Sequence, residues 1–378
     1  MQINAIQNRY VTNNSISPRN AVVGVQQNNK RFKLPAYAQI ISFTSNIKNC
    51  GLPAKNYDLN DKRILITGGT GSLGTAIIDE LLTNYKPKEI IVYSRDEYKQ
   101  FHMKRKIPKN SPVKFIIGDV RDANAVKKAV KNSDVVIHTA AMKHVAICDE
   151  NKEETVKTNF FGTLNVINAA LDSNAQRIML ISTDKAANSS NFYGNTKKMA
   201  ENLFSNANKK SDTKKLFSTI RMGNILGSRG SVLPIFEEQK QTGELTITDE
   251  NMTRFFISPK QAAKQVLSSL EIMRGGEIFI PKLKSASIVS LAKQSAPNCK
   301  IKIIGARNDE KIHEDLISDN EKTKTYELAD RYVIFPEKQT IKEATKLSDN
   351  FTCSSERKEV QFSEDELKDI IDECRQFN

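Results

Sequence analysis

From Arg63 onward, short apolar runs alternate with helix-patterned stretches, and the first run leads into Thr67-Gly68-Gly69-Thr70-Gly71-Ser72-Leu73-Gly74. The runs are Arg63–Thr67, Glu89–Tyr93, Val113–Ile117, Asp134–His138, Arg177–Ser182 and Leu216–Met222. Most are near-continuously apolar, so the strands must be covered on both faces, as in a parallel sheet. Stretches with helical periodicity, such as Leu73–Leu82, Ala123–Val130 and Thr163–Leu171, fall between them and supply the cover. The sequence therefore predicts an α/β fold, a doubly wound parallel sheet of Rossmann type.

Gly68, Gly71 and Gly74 are spaced GxxGxxG between a strand and a helix. Glycines there allow a tight turn and close approach of the backbone to a pyrophosphate resting on the helix N-terminus. Thr70, Ser72 and Leu73 share the loop and are expected to touch the cofactor with them. The second strand runs into Ser94-Arg95-Asp96, with Lys99 just beyond. An acid at that tip binds a ribose 2′-hydroxyl and favours NAD, whereas an arginine accommodates a 2′-phosphate and favours NADP. Ser94 and Arg95 come first, so NADP is expected, with NAD as the alternative. After the third strand, Asp119 of Gly118-Asp119-Val120 is placed either to contact the adenine or to cap the next helix. The fourth run ends His138-Thr139-Ala140-Ala141, whose small residues let a cofactor lie close.

This core is expected over residues 59–222, with a returning strand near 274–282. After about Gly223 the pattern turns irregular, and a smaller C-terminal substrate-binding lobe over 223–345 is expected above the carboxyl ends of the strands. Residues 346–378 read as a polar tail ending in a charged helix, Ser363–Cys374. Residues 1–58 read as a mostly disordered, Asn-, Gln- and Ser-rich extension in which Ala36–Phe43 can dock on the folded body. The extension holds seven basic residues against one acid, within a net charge of +13 for the 378 residues. Such a surplus attracts polyanions or a phosphorylated substrate, or is simply solvated. The solvated reading is taken for this extension, and no nucleic-acid partner is expected. There is no apolar run near the roughly 20 residues of a membrane helix, and no secretory h-region. The five scattered cysteines have neither metal-ligand nor CxxC spacing, and His102, His138, His144 and His313 complete no zinc set. A reduced, cytoplasmic protein without a bound metal is expected.

The fifth strand ends Ser182-Thr183-Asp184-Lys185, and Tyr193-Gly194-Asn195-Thr196-Lys197 follows. Tyr193 and Lys197 are four apart, so a helix sets them on one face. A phenol beside an ammonium can act as a general base, because the cation stabilises the phenolate. Asp184 and Lys185 add an acid and a second base. These proton-handling groups exceed the needs of a simple alcohol oxidation.

Further strings share one pattern: Tyr93-Ser94-Arg95-Asp96-Glu97, Met142-Lys143-His144-Val145, Ser182-Thr183-Asp184-Lys185-Ala186-Ala187-Asn188, Gly227-Ser228-Arg229-Gly230-Ser231-Val232, Met252-Thr253-Arg254-Phe255 and Gly275-Gly276-Glu277-Ile278-Phe279. With the glycine loop, they resemble the inverting UDP-N-acetylglucosamine 4,6-dehydratases, which start pseudaminic acid and related deoxyamino-sugar pathways, within the extended short-chain dehydrogenase/reductase superfamily. The likeness runs from about residue 60 to 345. It implies that Tyr193 takes the proton of the sugar 4-hydroxyl while hydride leaves C4, and that Lys197 holds Tyr193 and the nicotinamide ribose. It implies that Lys185 removes the C5 proton, Asp184 protonates the departing 6-hydroxyl, and Thr183 hydrogen-bonds the sugar near C4. Hydride then returns to C6, with no net redox. Retaining sugar-nucleotide dehydratases carry Asp-Glu where this chain has Asp184-Lys185.

Lys185 must be neutral to act as a base. Lys197, the nicotinamide cation and burial are expected to lower its pKa. The resemblance also sets Lys143, Asn224, Arg254, Arg307 and Glu310 around the nucleotide and diphosphate, with Lys143 near the cofactor too. Arginine suits bidentate phosphate contacts, although surface ion pairing is the ordinary role of such residues. Ser231, Val232 and Thr246 are expected on the same substrate side. Relatives of this type assemble as dimers or hexamers, so a homo-oligomer is expected. Two positions depart from the pattern: Ser189 stands where the family has proline, and Asn308-Asp309 where it has Pro-Gly. Competing readings are a UDP-sugar 4-epimerase or reductase, and an idle dinucleotide-sensing protein whose basic arm binds nucleic acid.

Overall fold

The computed structural model describes residues 57–210, 215–307, 309–337, 344–348 and 350–377. The N-terminal extension up to residue 56, its Ala36–Phe43 segment and Asn308 lie outside the described residues. The core runs β1 (Arg63–Thr67), α1 (Ser72–Asn84), β2 (Glu89–Ser94), α2 (Glu97–Lys106), β3 (Val113–Ile117), α3 (Ala123–Val130), β4 (Val135–His138), α4 (Gly162–Leu171), β5 (Arg177–Thr183), α5 (Phe192–Lys210) and β6 (Leu216–Met222). Each expected strand is present, with its ends within a residue of the expectation.

Beyond β6 come β7 (Asn224–Ile225), α6 (Val232–Gln239), β8 (Glu244–Ile247), β9 (Thr253–Ile257), α7 (Pro259–Ile272), β10 (Ile278–Pro281), β11 (Lys284–Ser287), α8 (Ile288–Ser295) and β12 (Lys300–Ile303). Then follow β13 (Thr325–Glu327), β14 (Arg331–Ile334), β15 (Thr345–Lys346) and α9 (Glu364–Phe377). The main sheet has the order β3-β2-β1-β4-β5-β6-β10-β14-β13-β15. It is parallel from β3 to β10 and antiparallel beyond.

Pleating divides the core in two. Ile64 and Ile66 of β1 pack with α1 and α7, while Leu65 between them packs with Val126 of α3, Val166 of α4 and Phe204 of α5. α7 starts at a capping box formed by Ser258 and Gln261, with Pro259 at its first position. β1 lies between β2 and β4, so the strand order reverses there and a crevice opens at the carboxyl ends of β1 and β4. His138 braces that crevice, with Nδ1 2.7 Å from Thr67 Oγ1 and Nε2 3.1 Å from Thr163 Oγ1.

Two features differ from the sequence reading. Thr325–Glu327, Arg331–Ile334 and Thr345–Lys346, all but the last residue expected in the substrate lobe, supply β13, β14 and β15 to the edge of the main sheet. Strands of two to four residues are too short to carry a readable period. The C-terminal helix is also more than a charged tail. Leu367, Ile370, Ile371 and Cys374 form a buried stripe that joins Leu233, Phe236, Leu291 and Ala292 in the core of the lobe.

A buried ion network fastens β6 and the end of β5 to residues 316–321. Arg221 is fully buried and donates to both oxygens of Glu201, at 3.0 and 2.7 Å, and to Glu321 at 2.9 Å. Glu201 also accepts from Ser182 Oγ at 2.7 Å, and Arg221 donates to the Leu316 carbonyl at 2.8 Å. Such a pair adds little net stability but is costly to break, so it fixes geometry at the strand tip. No helix among the described residues is long and apolar enough to cross a membrane.

Candidate active site

One cleft of about 1190 Å³ runs from the crevice beneath the lobe. It exceeds the roughly 300–1,000 Å³ usual for a single ligand, which suits a cofactor and a substrate side by side. Its first half is the glycine loop. Gly68 has φ +65°, and a Cβ there would lie 2.8 Å from Thr139 Oγ1 and 2.9 Å from the Ala140 backbone. A Cβ at Gly74 would lie 2.6 Å from Gly69, so loop and helix touch. Gly71 begins α1 with no side-chain cap and no acid in the first turn, leaving the helix N–H groups for an anion. These residues fit a dinucleotide pyrophosphate.

At the tip of β2, Asp96 is already engaged. It caps α2 by accepting from the Lys99 N–H at 2.9 Å and pairs with Lys99 Nζ at 2.8 Å. Arg95 is exposed, 3.8 Å from Asp119. Asp119 accepts from Arg121 Nε at 3.0 Å, and although burial opposes it, Arg121 holds the carboxyl below its ordinary value. Asp122, not Asp119, caps α3. Asp119 therefore belongs to the cleft wall, with Val120, Thr139 and Ala140.

The reacting half forms where β5 ends and α5 begins. Lys185 Nζ is held by three acceptors: Asp184 Oδ1 at 3.1 Å, Glu314 Oε1 at 3.3 Å and Asn224 Oδ1 at 3.3 Å. Burial pulls its pKa down, but Asp184 and Glu314 outweigh that and raise it above the ordinary lysine value. The expectation of a lowered pKa is thus corrected: two carboxylates face the ammonium. Tyr193 differs in the same way. Burial pushes its phenol up to about 12, and the cation that lowers it is Lys185. Lys197 donates from Nζ to the Ile181 carbonyl at 2.6 Å, and burial pulls it down to about 8.

Every residue expected at the cofactor or substrate lines the cleft, and so do Thr183, Lys185, Tyr193 and Lys197. Asp184 does not. It is fully buried behind the wall, and its Oδ1 accepts from Thr183 Oγ1 at 2.8 Å. The β-strand ends at Thr183 and the chain turns sharply inward, which takes the Asp184 carboxyl one layer back.

On the substrate side, Arg254 of β9 is buried and donates to the Thr253, Ile312 and Lys311 carbonyls, each at 2.8 Å. It also lies 3.6 Å from Glu310, which is 3.6 Å from the more exposed Arg307. Ser231 begins α6, and its buried Oγ has no partner in the structure. Val232 follows it, and Thr246 Oγ1 accepts from Gln239 at 2.7 Å. Lys143 reaches Ser228 Oγ at 3.2 Å, and burial with nearby Arg229 lowers its pKa. Sequence reasoning missed two cleft residues. Arg229 donates to the Thr70 carbonyl and ties the lobe to the glycine loop. Glu314 stands in an irregular segment with no motif to single it out.

A family model described as polysaccharide biosynthesis protein matches residues 64–336. An inverting UDP-N-acetylglucosamine 4,6-dehydratase of Campylobacter jejuni strain 81-176 is 45% identical, over 84% of this chain and 99% of that relative. A UDP-glucose 4-epimerase of Rickettsia bellii strain OSU 85-389 is 41% identical, over 72% of this chain and 83% of its own length. Among solved structures, Pen from Bacillus thuringiensis aligns with a TM-score of 0.79 at 35% identity, covering 85% of this chain and 99% of that one.

Proposed function

The chain belongs to the polysaccharide biosynthesis protein family, and we propose on that premise that it is a UDP-N-acetylglucosamine 4,6-dehydratase inverting C5. The product is UDP-2-acetamido-2,6-dideoxy-β-L-arabino-hex-4-ulose. The observation that carries this reading is the Lys185 amine on the cleft wall beside Thr183 and Tyr193, with Asp184 directly behind. An epimerase has no proton to remove at C5 and no hydroxyl to expel at C6, so it has no use for that pair.

The chemistry that NADP supplies when bound is hydride removal at C4 and hydride return at C6. Gly68, Gly71 and Gly74 would hold its pyrophosphate, and Ser94 and Arg95 its 2′-phosphate. Tyr193 takes the proton of the 4-hydroxyl. The resulting ketone acidifies C5–H, and Lys185 takes that proton as an amine. Asp184 protonates the departing 6-hydroxyl through Thr183, which lines the cleft: the Thr183 hydroxyl, a donor to Asp184 at rest, turns to give its proton to the 6-oxygen and takes one from Asp184. C5 is then reprotonated from the face opposite the one that lost its proton. The proton taken by Tyr193 balances the one given by Asp184, so the sum is loss of water. Ser231, Arg254 and Arg307 are positioned to receive the diphosphate.

Incubation with UDP-N-acetylglucosamine and NADP in heavy water tests the reading by NMR of the product. A 4-keto-6-deoxy sugar with deuterium at C5 and inverted configuration is expected. Formation of UDP-N-acetylgalactosamine alone would instead favour the epimerase.

Cofactor choice rests on Asp96 being held close by Lys99, at 2.8 Å, while Arg95 is exposed and only 3.8 Å from Asp119. Arg95→Ala is expected to weaken NADP binding about fivefold, since an exposed charge contact is worth about 1 kcal/mol. NAD binding should change less than NADP binding. Fluorescence titration of both cofactors checks this, and equal losses would favour NAD as the natural partner.

A further inference from the structure

We propose that Glu314 is a positioning residue that takes the ammonium proton of Lys185 and so makes Lys185 an amine at the moment C5 is deprotonated. This inference rests on the dehydratase reading above. The step breaks one Nζ–H bond and forms one Oε–H bond on Glu314. The freed nitrogen lone pair then takes the C5 proton.

Geometry makes Glu314 the acceptor. As an ammonium, Lys185 has no lone pair for a carbon acid; it donates to Asp184 and Asn224 and lies 3.3 Å from Glu314 Oε1 as an ion pair. The Asn224 carbonyl cannot hold a proton. Asp184 Oδ1 already accepts from Thr183 Oγ1, the Lys185 N–H and Lys185 Nζ. Glu314 is the remaining group in contact. It is buried, lines the cleft, and its Oε2 has no hydrogen-bond partner in the structure. Asp184 Oδ2 is likewise buried without a partner. Bare carboxylate oxygens are costly in such a place, and carboxylic acids are less so. Transfer from Lys185 to Glu314 replaces a buried ion pair with an amine and a carboxylic acid.

Burial and Asp184 both raise the Glu314 pKa, against the lowering effect of Lys185, Arg254 and Lys311. Those are the charged groups that face it. Neighbouring His313 points away, toward Thr253 Oγ1 at 2.9 Å and Glu356 at 3.4 Å. The backbone of Glu314 is clamped: its N–H donates to Ser355 Oγ and its carbonyl accepts from the Ser355 N–H, both at 2.9 Å. Ser355 Oγ is in turn 3.1 Å from the Thr253 carbonyl. The C-terminal segment thus contributes to the site by fixing where Glu314 stands.

The test is Glu314→Gln in the full-length protein with NADP and UDP-N-acetylglucosamine, read as C5 deuterium exchange, kcat, KM and reduced cofactor in a single turnover. Exchange and kcat at neutral pH are expected to fall about 10²-fold, the low end for a lost proton-transfer partner. KM and C4 oxidation should stay near wild type, and exchange should climb with pH as hydroxide replaces the missing acceptor. Glu314→Asp keeps the acid and should retain the wild-type pH profile at a reduced rate. Exchange by Glu314→Gln at the wild-type rate or faster would overturn the inference, because an anion that merely pins the ammonium slows the base. A pH-independent loss of every step, C4 oxidation included, would overturn it as well. Wild-type protein that shows no C5 exchange would overturn the dehydratase reading and this inference together.

Discussion

Tyr193→Phe is expected to lower turnover of UDP-N-acetylglucosamine by about 10³- to 10⁴-fold, the upper range for loss of a positioned general base. KM should change little, since one hydroxyl is removed from a cleft lined by many other groups. The loss should include both C4 oxidation and C5 exchange. C5–H becomes acidic only once C4 is a ketone, so blocking the first proton transfer silences the second. Rapid mixing with NADP, followed by absorbance of the reduced cofactor and by NMR exchange, measures both. The pH dependence follows from burial, which holds the phenol at about 12. The competent phenolate is the minor form at neutral pH, so wild-type C4 oxidation should speed up as pH rises toward that value. Phenylalanine should remove this rise along with the rate. A variant that still reduced NADP at the wild-type rate would assign the first base elsewhere.

Much of this was legible in the residues, because the chemistry depends on local spacing. The glycine loop needs only a strand before it and a helix after it, and both can be read from a few positions. Tyr193 and Lys197 are one helical turn apart, and Asp184 and Lys185 are adjacent, so their grouping needed no tertiary knowledge. What failed to show was set by distant contacts. Glu314 meets Lys185 across most of the lobe, and nothing near residue 314 in the sequence announces that meeting. The sign of the Lys185 shift depended on it: one carboxylate was visible next door, while the second arrived through folding. Asp184 was correctly read as close to Lys185, but its direction depended on how the chain turns after β5. The C-terminal helix was expected, but its charge concealed the buried stripe of four apolar residues that matters to packing.

Lys185→Met should separate the two halves of the reaction that Tyr193→Phe removes together. Methionine fills a similar volume without a basic nitrogen. C4 oxidation is expected to persist but to slow, because Lys185 is also the cation that favours the Tyr193 phenolate; reduced cofactor should still accumulate in a single turnover, while C5 exchange and product fall by about 10³-fold. The same change should be felt in stability, since Asp184 and Glu314 would face each other without the ammonium between them. Removing one partner from a buried charge cluster costs about 3–5 kcal/mol when the remaining charge cannot be neutralised. Here it can be, by protonation, so the cost should depend on pH. Burial and Asp184 already raise the Glu314 pKa, and without Lys185 only Arg254 and Lys311 counter them. A group raised above its unfolded value favours the fold at pH below that value and loses the advantage as pH rises through the folded one. The variant should therefore lie near wild type at acid pH and fall progressively below it toward neutrality. Thermal melts across that range measure the gap. A constant gap would mean that the two carboxyls do not share the site as described, and normal C5 exchange would mean that Lys185 is not the base.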